Sequence, residues 1–260
     1  MNKPKLHGRV ALITGASRGI GRAIARGYAQ EGAVIAITAR TEEDLHSLVE
    51  EVQASGGKAL AIRADLGDGA TPAQIVQQVL DAFGAIDILV NNAGIGSSSS
   101  PRPVVDFDDE FWNKTLTLNL TAPYKLSKAV LPHMLQKKWG RIINIASING
   151  KLPAIHGAAY TASKHGLLGL TRTLAVEVAR EGITVNAICP GPVRTEMNER
   201  RVDYDAKRLG LSKTELEGRL TPIGRRLEPE EIVPMALLLA LDESAAITGQ
   251  AFNVCGGVAT

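Results

Sequence analysis

Tyr160 and Lys164 are the residues of this sequence best suited to proton-transfer chemistry. They lie four positions apart in the stretch 158–178, which we predict to be helical, so they would share one helix face. A nearby cation favours the phenolate, so we expect a lowered pKa for Tyr160 and efficient proton exchange near neutral pH. Such a pair alone is most often a packed ring beside a solvated charge, so its meaning depends on the other residues.

Short apolar runs alternate with amphipathic stretches along the chain. Strands are predicted at residues 10–14, 34–38, 59–63, 86–91, 141–146, 183–189 and 251–254. Helices are predicted at 20–30, 42–55, 71–83, 158–178 and 230–241, with one long or broken helical region at 108–138. Continuous apolar strands between helices indicate an α/β fold: a Rossmann-like, doubly wound parallel sheet of about seven strands, covered on both faces. Ligands bind such sheets beyond the carboxyl ends of the strands.

Composition limits the class of protein. The 260 residues are 45% hydrophobic and show no linker, so we expect a single domain with a large core. The net charge of +2, with acids and bases mixed along the chain, predicts no nucleic-acid partner and no membrane surface. Cys189 and Cys255 fit neither a disulfide framework nor a metal pair, so we expect buried thiols and no metal. Because apolar runs are too short for a membrane span or a signal peptide, we expect a cytoplasmic protein.

A glycine-rich turn follows the first predicted strand. Glycines allow close approach of a ligand, and a helix N-terminus offers unpaired N–H groups to phosphate, so we predict a nucleotide here. The spacing Gly-x3-Gly-x-Gly differs from the Gly-x-Gly-x-x-Gly of many dinucleotide folds, and a turn without ligand is the alternative. The candidate contacts are Gly15, Ser17, Arg18, Gly19, Ile20 and Gly21.

The end of the second strand predicts the choice of cofactor. An acid there would bind a ribose 2′-hydroxyl, whereas an arginine suits a 2′-phosphate. This chain has Arg40, with Arg18 available from the glycine turn, so we expect NADP(H) to be preferred and NAD(H) to be possible. Asp65 and Leu66 follow the third strand as candidate contacts of the adenine ring. Solvated surface arginines and an ordinary turn aspartate are the alternatives.

Polar residues also follow the fourth and fifth strands. The fourth strand ends at Asn91-Asn92-Ala93-Gly94, and Ser147 directly follows the fifth strand. The loop 148–158 could return the chain from Ser147 to Tyr160. Asn119 lies inside the helical region, where asparagine is a poor helix former, which predicts either a satisfied buried amide or a local departure that holds a water.

In this order and at these spacings, the residues resemble those of the short-chain dehydrogenase/reductase family, over Val10 to Gly257. The resemblance implies that Tyr160 exchanges a proton with a carbonyl or alcohol oxygen, which Ser147 orients. It implies that Lys164 holds the nicotinamide ribose and that Asn119 fixes a water in a proton relay. Further cofactor contacts are implied at Asn92, Ala93, Gly94, Pro190, Gly191, Val193 and Thr195, besides Tyr160 and Lys164.

Other stretches concern the substrate. Lys151, His156 and the segment 253–257 resemble those of aromatic-polyketide ketoreductases, whose wider kin are 3-oxoacyl-[acyl-carrier-protein] reductases. The segment 196–220 is highly charged and weakly patterned, so we predict a mobile substrate lid, with a solvated helix pair as the alternative.

The leading hypothesis is therefore an NADPH-dependent reductase of a small-molecule ketone, such as a 3-oxoacyl thioester or a similar β-keto substrate. One alternative is an NAD(P)-dependent secondary-alcohol dehydrogenase that acts on a hydroxy acid, cyclic alcohol or sugar. Another is a nucleotide-binding regulator without chemistry, which the intact set of Asn119, Ser147, Tyr160 and Lys164 disfavours. The resemblance also implies a homotetramer.

Overall fold

A computed structural model describes residues 4–259 and contains, within them, one parallel sheet of seven strands. The strands are β1 Val10–Thr14, β2 Val34–Ala39, β3 Ala59–Arg63, β4 Ile88–Asn91, β5 Gly140–Ile145, β6 Ile183–Pro190 and β7 Ala251–Val254. Their order is β3-β2-β1-β4-β5-β6-β7. Every residue of β1, β4, β5 and β6 is buried, which explains their apolar sequences. The predicted fold class is confirmed.

Helices cover both faces of the sheet. They are α1 Gly19–Gln30, α2 Glu42–Ala54, α3 Thr71–Phe83, α4 Asp109–Leu116, α5 Ala122–Lys137, α6 Ala158–Val178, α7 Glu196–Leu209, α8 Lys213–Arg219 and α9 Val233–Ala240. Successive strand residues point to opposite faces, so Ile13 packs in the core with α1, α2 and α9, whereas Leu12 packs with α3, α5 and α6. Within the described range, no helix is long and apolar enough to cross a membrane.

The strand order reverses between β1 and β4, and this reversal opens a crevice at the carboxyl edge of the sheet. Hydrogen bonds lock the two strand ends that border the crevice. The Thr14 hydroxyl accepts from the backbone N–H groups of Asn92 at 3.1 Å and Ala93 at 3.0 Å. The Asn92 amide donates to the carbonyl oxygens of Thr14 at 2.9 Å and Gly15 at 3.0 Å. The glycine turn and the 91–94 turn are thereby held as one unit.

Several predicted bounds shift by a residue or so, and the predicted last helix, 230–241, consists of a 3-10 turn, Pro229–Ile232, followed by α9. Two further differences have clear physical reasons. The fourth strand begins at Ile88, because Asp87 is buried and uses its carboxylate to accept from the backbone N–H of Val10 at 2.9 Å and to pair with Lys137. The predicted helical region 108–138 is broken: a π-helical turn, Thr117–Thr121, separates α4 from α5.

The segment 196–220, called the lid below, has more pattern than its sequence suggested. It folds as α7 and α8, which share a small core of Val202, Ala206 and Leu216. The guanidinium of Arg226, 1% exposed, pairs with Glu217 at 2.6 Å and with Glu199 at 2.5 Å. The segment therefore has more apolar pattern than expected, and both its role as a substrate lid and its mobility stay predictions.

In the ligand-free protein, backbone amides of the lid should exchange hydrogen faster than those of β5. The reason is the small lid core and its largely charged surface, which give a low local free energy of opening. Exchange in the lid should slow when cofactor and substrate bind, while β5 serves as the control. Slow exchange throughout the ligand-free lid would show that it is a fixed helix pair.

Candidate active site

A cavity of about 960 Å³ lies at the carboxyl edge of the sheet and extends beneath the lid. It brings together residues from six strand ends and from α6. The predicted residues that line it are Gly15, Ser17, Arg18, Gly19, Ile20, Arg40, Asp65, Leu66, Asn92, Ala93, Gly94, Ser147, Tyr160, Lys164, Pro190, Gly191, Val193 and Thr195. Of the predicted set, Gly21 and Asn119 do not line the cavity.

Ser147 begins the turn that follows β5. Its hydroxyl accepts a hydrogen bond from the backbone N–H of Asn149 at 3.1 Å, and the residue is 7% exposed. A hydroxyl that accepts in this way still has its own proton to donate. Ser147 can therefore donate a hydrogen bond to an oxygen atom in the cavity.

Lys164 is buried beside Tyr160 on α6. Its ammonium donates to the carbonyl oxygen of Ile145 at 2.8 Å and lies 5.7 Å from the centre of the Tyr160 ring. Burial lowers the pKa of Lys164 to about 8. The helical pairing of the two side chains is as predicted.

The expected lowering of the Tyr160 pKa is wrong for the ligand-free protein. Burial raises the pKa of Tyr160, and the polar side chain of Ser147 nearby opposes this only in part. Desolvation dominates because the phenolate would lose water, while the ammonium of Lys164 is directed to a backbone carbonyl. Tyr160 is therefore held as a protonated phenol, ready to donate.

Asn119 lies within the π-helical turn, so the predicted local departure from helix is present. Its amide nitrogen donates to the Ile95 carbonyl at 3.0 Å and to the Ser163 hydroxyl at 3.1 Å, and its oxygen accepts from the Ile95 N–H at 2.9 Å. The side chain thus braces the loop after β4 against α6. Both amide N–H donors are used by protein, so a water could be held here only by the remaining lone pair of the amide oxygen or by the main chain, and the relay stays a prediction.

The glycine turn fits a nucleotide phosphate. Gly15 has a φ of +63°, and a Cβ there would lie 2.8 Å from the Cα of Ala93, so a side chain is excluded. The N-terminus of α1 has no side-chain cap and no acidic residue in its first turn, and both Gly19 and Ile20 line the cavity. Such a helix end favours an anion.

Gly21 has a packing role between the two turns. A Cβ at Gly21 would lie 2.4 Å from the Asn92 amide nitrogen and 2.5 Å from the Gly15 carbonyl oxygen. The glycine therefore makes room for the Asn92 side chain that links the two turns, and its assignment as a direct cofactor contact stays a prediction.

Arg40 and Arg18 reach the same cavity but differ in their partners. Arg40 is exposed at the end of β2, where a 2′-phosphate was predicted. The guanidinium of Arg18 pairs with Glu196 of the lid, which also pairs with Arg200. Asp65 accepts from the backbone N–H of Gly67 at 2.9 Å, as a turn aspartate does.

Sequence reasoning missed cavity residues contributed by α7. Met197, Arg201 and Arg208 line the cavity. Their spacing of four and seven residues was a usable signal, because residues spaced this way share one helix face. The high charge of the segment made this helical spacing hard to recognise in the sequence.

The fold and the site define a nucleotide-dependent oxidoreductase. The sequence profile described as short chain dehydrogenase matches residues 9–205. A ketoacyl reductase named for the granaticin polyketide synthase of Streptomyces violaceoruber is 45% identical, covering 96% of this chain and 92% of its own. A D-β-hydroxybutyrate dehydrogenase of Rhizobium meliloti is 37% identical, covering 96% and 98%.

A solved structure gives the same assignment. The actinorhodin polyketide ketoreductase, in a variant with NADPH, superimposes with a TM-score of 0.90 at 39% identity, covering 96% of this chain and 97% of its own. The chain therefore belongs to the short-chain dehydrogenase/reductase family and is an NAD(P)-dependent oxidoreductase.

In the ligand-free protein, Lys164 should lose its proton near pH 8. Burial disfavours its charged form and lowers the pKa from the ordinary 10.5 to about 8. The measurement is the pH dependence of the carbon NMR shift of Lys164 Cε, assigned with Lys164→Arg. Lys213 is the control, since hydrogen bonds to Glu199 and Asp203 raise its pKa. Titration of both lysines at the same pH would contradict the geometry.

Proposed function

We propose that this protein is an NADPH-dependent reductase of a ketone in a 3-oxoacyl thioester or similar β-keto substrate. The observation that carries the proposal is the meeting of Ser147, Tyr160 and Lys164 in one cavity with the glycine turn. The similarity to a ketoacyl reductase and to a polyketide ketoreductase supports this substrate class.

A nicotinamide cofactor, when bound along the glycine turn, would supply the hydride. Negative charge develops on the substrate oxygen, so a hydrogen-bond donor and an acid must already be in place. Ser147 donates a hydrogen bond to that oxygen, and Tyr160 donates the proton. The raised pKa of Tyr160 suits this direction, because the phenol remains protonated until the oxygen becomes basic.

Lys164 acts through its charge. With a pKa of about 8, most molecules carry the ammonium at neutral pH. Once Tyr160 has given up its proton, this nearby cation stabilises the phenolate electrostatically. In the ligand-free state the ammonium is held by the Ile145 carbonyl, which fixes its position beside the ring.

Arg40 supports NADPH as the preferred cofactor. It lines the cavity at the end of β2, where an acid would repel a 2′-phosphate. Arg18 is paired with Glu196, so its contribution depends on exchange of that partner, and Arg40 carries the larger share.

A secondary-alcohol dehydrogenase is the second candidate, supported by the similarity to a D-β-hydroxybutyrate dehydrogenase. A panel of acyl thioesters, simple ketones and cyclic alcohols, scored by NADPH consumption or formation, separates the two. Turnover of hydroxy acids or cyclic alcohols alone would overturn the thioester proposal. We also expect a homotetramer, in line with the family resemblance and with the exposure of Val176 on α6.

Tyr160→Phe should lower kcat by about a hundred- to ten-thousandfold, because it removes the acid and keeps the ring. NADPH affinity should change little. Both are measured on the best substrate of the panel, by turnover and by cofactor fluorescence. Tyr124→Phe, which alters an exposed phenol of α5, is the control. A near-normal rate for Tyr160→Phe would refute its role as the acid.

Arg40→Asp should weaken NADPH binding and leave NADH binding unchanged or improved. A charged hydrogen bond contributes about 1.5–3 kcal/mol, or roughly ten- to a hundredfold in affinity. The apparent Kd of each cofactor is compared with that of the wild type at one salt concentration, because exposed charges are screened. Arg26→Asp, on the exposed side of α1, controls for a general effect of charge. An unchanged ratio of the two affinities would show that Arg40 is only a surface charge.

A further inference from the structure

The glycine turn and the start of α7 meet at the edge of the cavity. Arg18 directly precedes α1, and Glu196 is the first residue of α7. A Cβ placed on Gly19 would lie 3.0 Å from the Cγ2 atom of Thr195, so the two helix starts are in contact. All four of these residues line the cavity. The side chains of Arg18 and Glu196 therefore lie where the glycine turn would receive a nucleotide phosphate.

The two helix starts differ in how their unpaired N–H groups and positive dipole ends are satisfied. The start of α7 has the hydroxyl of Thr195, which accepts from the Asn198 N–H at 3.3 Å, and two acids in its first turn, Glu196 and Glu199. The start of α1 has no side-chain cap and no acid in its first turn. An anion at α1 must therefore come from elsewhere, either from a ligand or from another part of the chain.

In the ligand-free protein, the anion nearest the glycine turn is Glu196. One of its carboxylate oxygens pairs with the guanidinium of Arg18, and the other pairs with Arg200, one turn further along α7. Among the described residues, the other carboxylates that line the cavity are engaged elsewhere. Asp65 accepts from the backbone of its own turn, and Asp205 pairs with an arginine of α7. The Glu196 carboxylate thus stands in for a phosphate at Arg18.

The pair between Arg18 and Glu196 is weak enough to exchange. The two side chains are 66% and 43% exposed, so solvent screens their attraction. The net contribution of an exposed pair corresponds to at most about fivefold in an equilibrium constant. A phosphate monoester carries up to about two negative charges and offers three acceptor oxygens, which makes it a stronger partner for a guanidinium. A bound phosphate would therefore displace the carboxylate, which keeps its contact with Arg200.

We propose that Glu196 is an internal competitor of the cofactor phosphates for Arg18 and thereby sets the affinity for the cofactor. In the ligand-free protein the carboxylate occupies the guanidinium, and cofactor binding exchanges it for phosphate. Cofactor affinity is lower by the strength of the pair that must open. The proposal rests on the NADPH dependence of the proposed function and is independent of the ketone substrate. It predicts that removal of an acid from the cavity wall strengthens binding, which loss of a structural contact would not do.

The test is calorimetric measurement of Kd for NADP⁺ and NAD⁺ at one low salt concentration. Glu196→Gln should bind NADP⁺ about two- to fivefold tighter than the wild type, because Arg18 is then free of its competitor. In an Arg18→Gln background the same change should have little effect, since the two residues act as one pair. Glu51→Gln is the matched control: this exposed acid pairs with Arg22 and Arg26 of α1 but does not line the cavity.

The two cofactors distinguish the phosphate that Arg18 meets. A gain confined to NADP⁺ would identify the 2′-phosphate, and an equal gain for NAD⁺ would identify the pyrophosphate that both cofactors carry. In either case the gain should shrink as salt is raised, because the pair is exposed.

Unchanged or weaker binding by Glu196→Gln would overturn the competition, as would an equally large gain in the Arg18→Gln background. If Glu196 only stabilised the start of α7 through the helix dipole, Glu196→Gln would speed hydrogen exchange in α7 without tighter binding. A wild type that binds NAD⁺ tighter than NADP⁺ would refute the proposed cofactor preference. The competition would then be decided by the gain of Glu196→Gln on NAD⁺.

Discussion

The ammonium of Lys164, held out of water against a backbone carbonyl, is the interaction on which the geometry of this site depends. The lowering of its pKa from 10.5 to about 8 corresponds to roughly 3 kcal/mol of disfavoured charge in the folded state. The hydrogen bond to Ile145 offsets part of this cost and sets the distance between the end of β5 and α6. The turn after β5 also packs closely against α6, because a Cβ at Gly150 would lie 2.9 Å from the Lys164 carbonyl oxygen.

The same arrangement separates two possible effects of the Lys164 charge: lowering the pKa of Tyr160 before proton transfer, and stabilising the phenolate after it. In the ligand-free protein, Lys164 does not make Tyr160 acidic, because burial of the phenol dominates. Its charge matters after proton transfer, when the phenolate exists and attraction replaces the lost hydration. A protonated Tyr160 beside a partly ionised Lys164 thus favours proton donation, whereas the reverse reaction would first need the phenol to be deprotonated.

Much of this site could be predicted from sequence, because parallel strands bring their carboxyl ends to one edge whatever the details of packing. Gly15, Ser147 and Tyr160 were found through strand ends and helix spacing, which are local properties. What the sequence does not provide are properties that only the folded chain defines. Desolvation raises the pKa of Tyr160, contrary to expectation, whereas the fit of Gly21 against Asn92 and the pairing of Arg18 with Glu196 come from parts of the chain distant in sequence.

The ion pairs of the predicted lid are of two kinds, exposed pairs along α7 and pairs with the buried Arg226. Along α7, pairs such as Arg200 with Glu196 lie in or near solvent and contribute only about 0.3–0.5 kcal/mol each. The guanidinium of Arg226, which is 1% exposed, joins Glu199 of α7 to Glu217 of α8, and pairs with a buried partner are screened by solvent and salt much less than exposed pairs. Motion of the lid should therefore leave the Arg226 contacts intact and separate the exposed contacts first. Helices α7 and α8 would then move together, with the Arg226 contacts as the hinge.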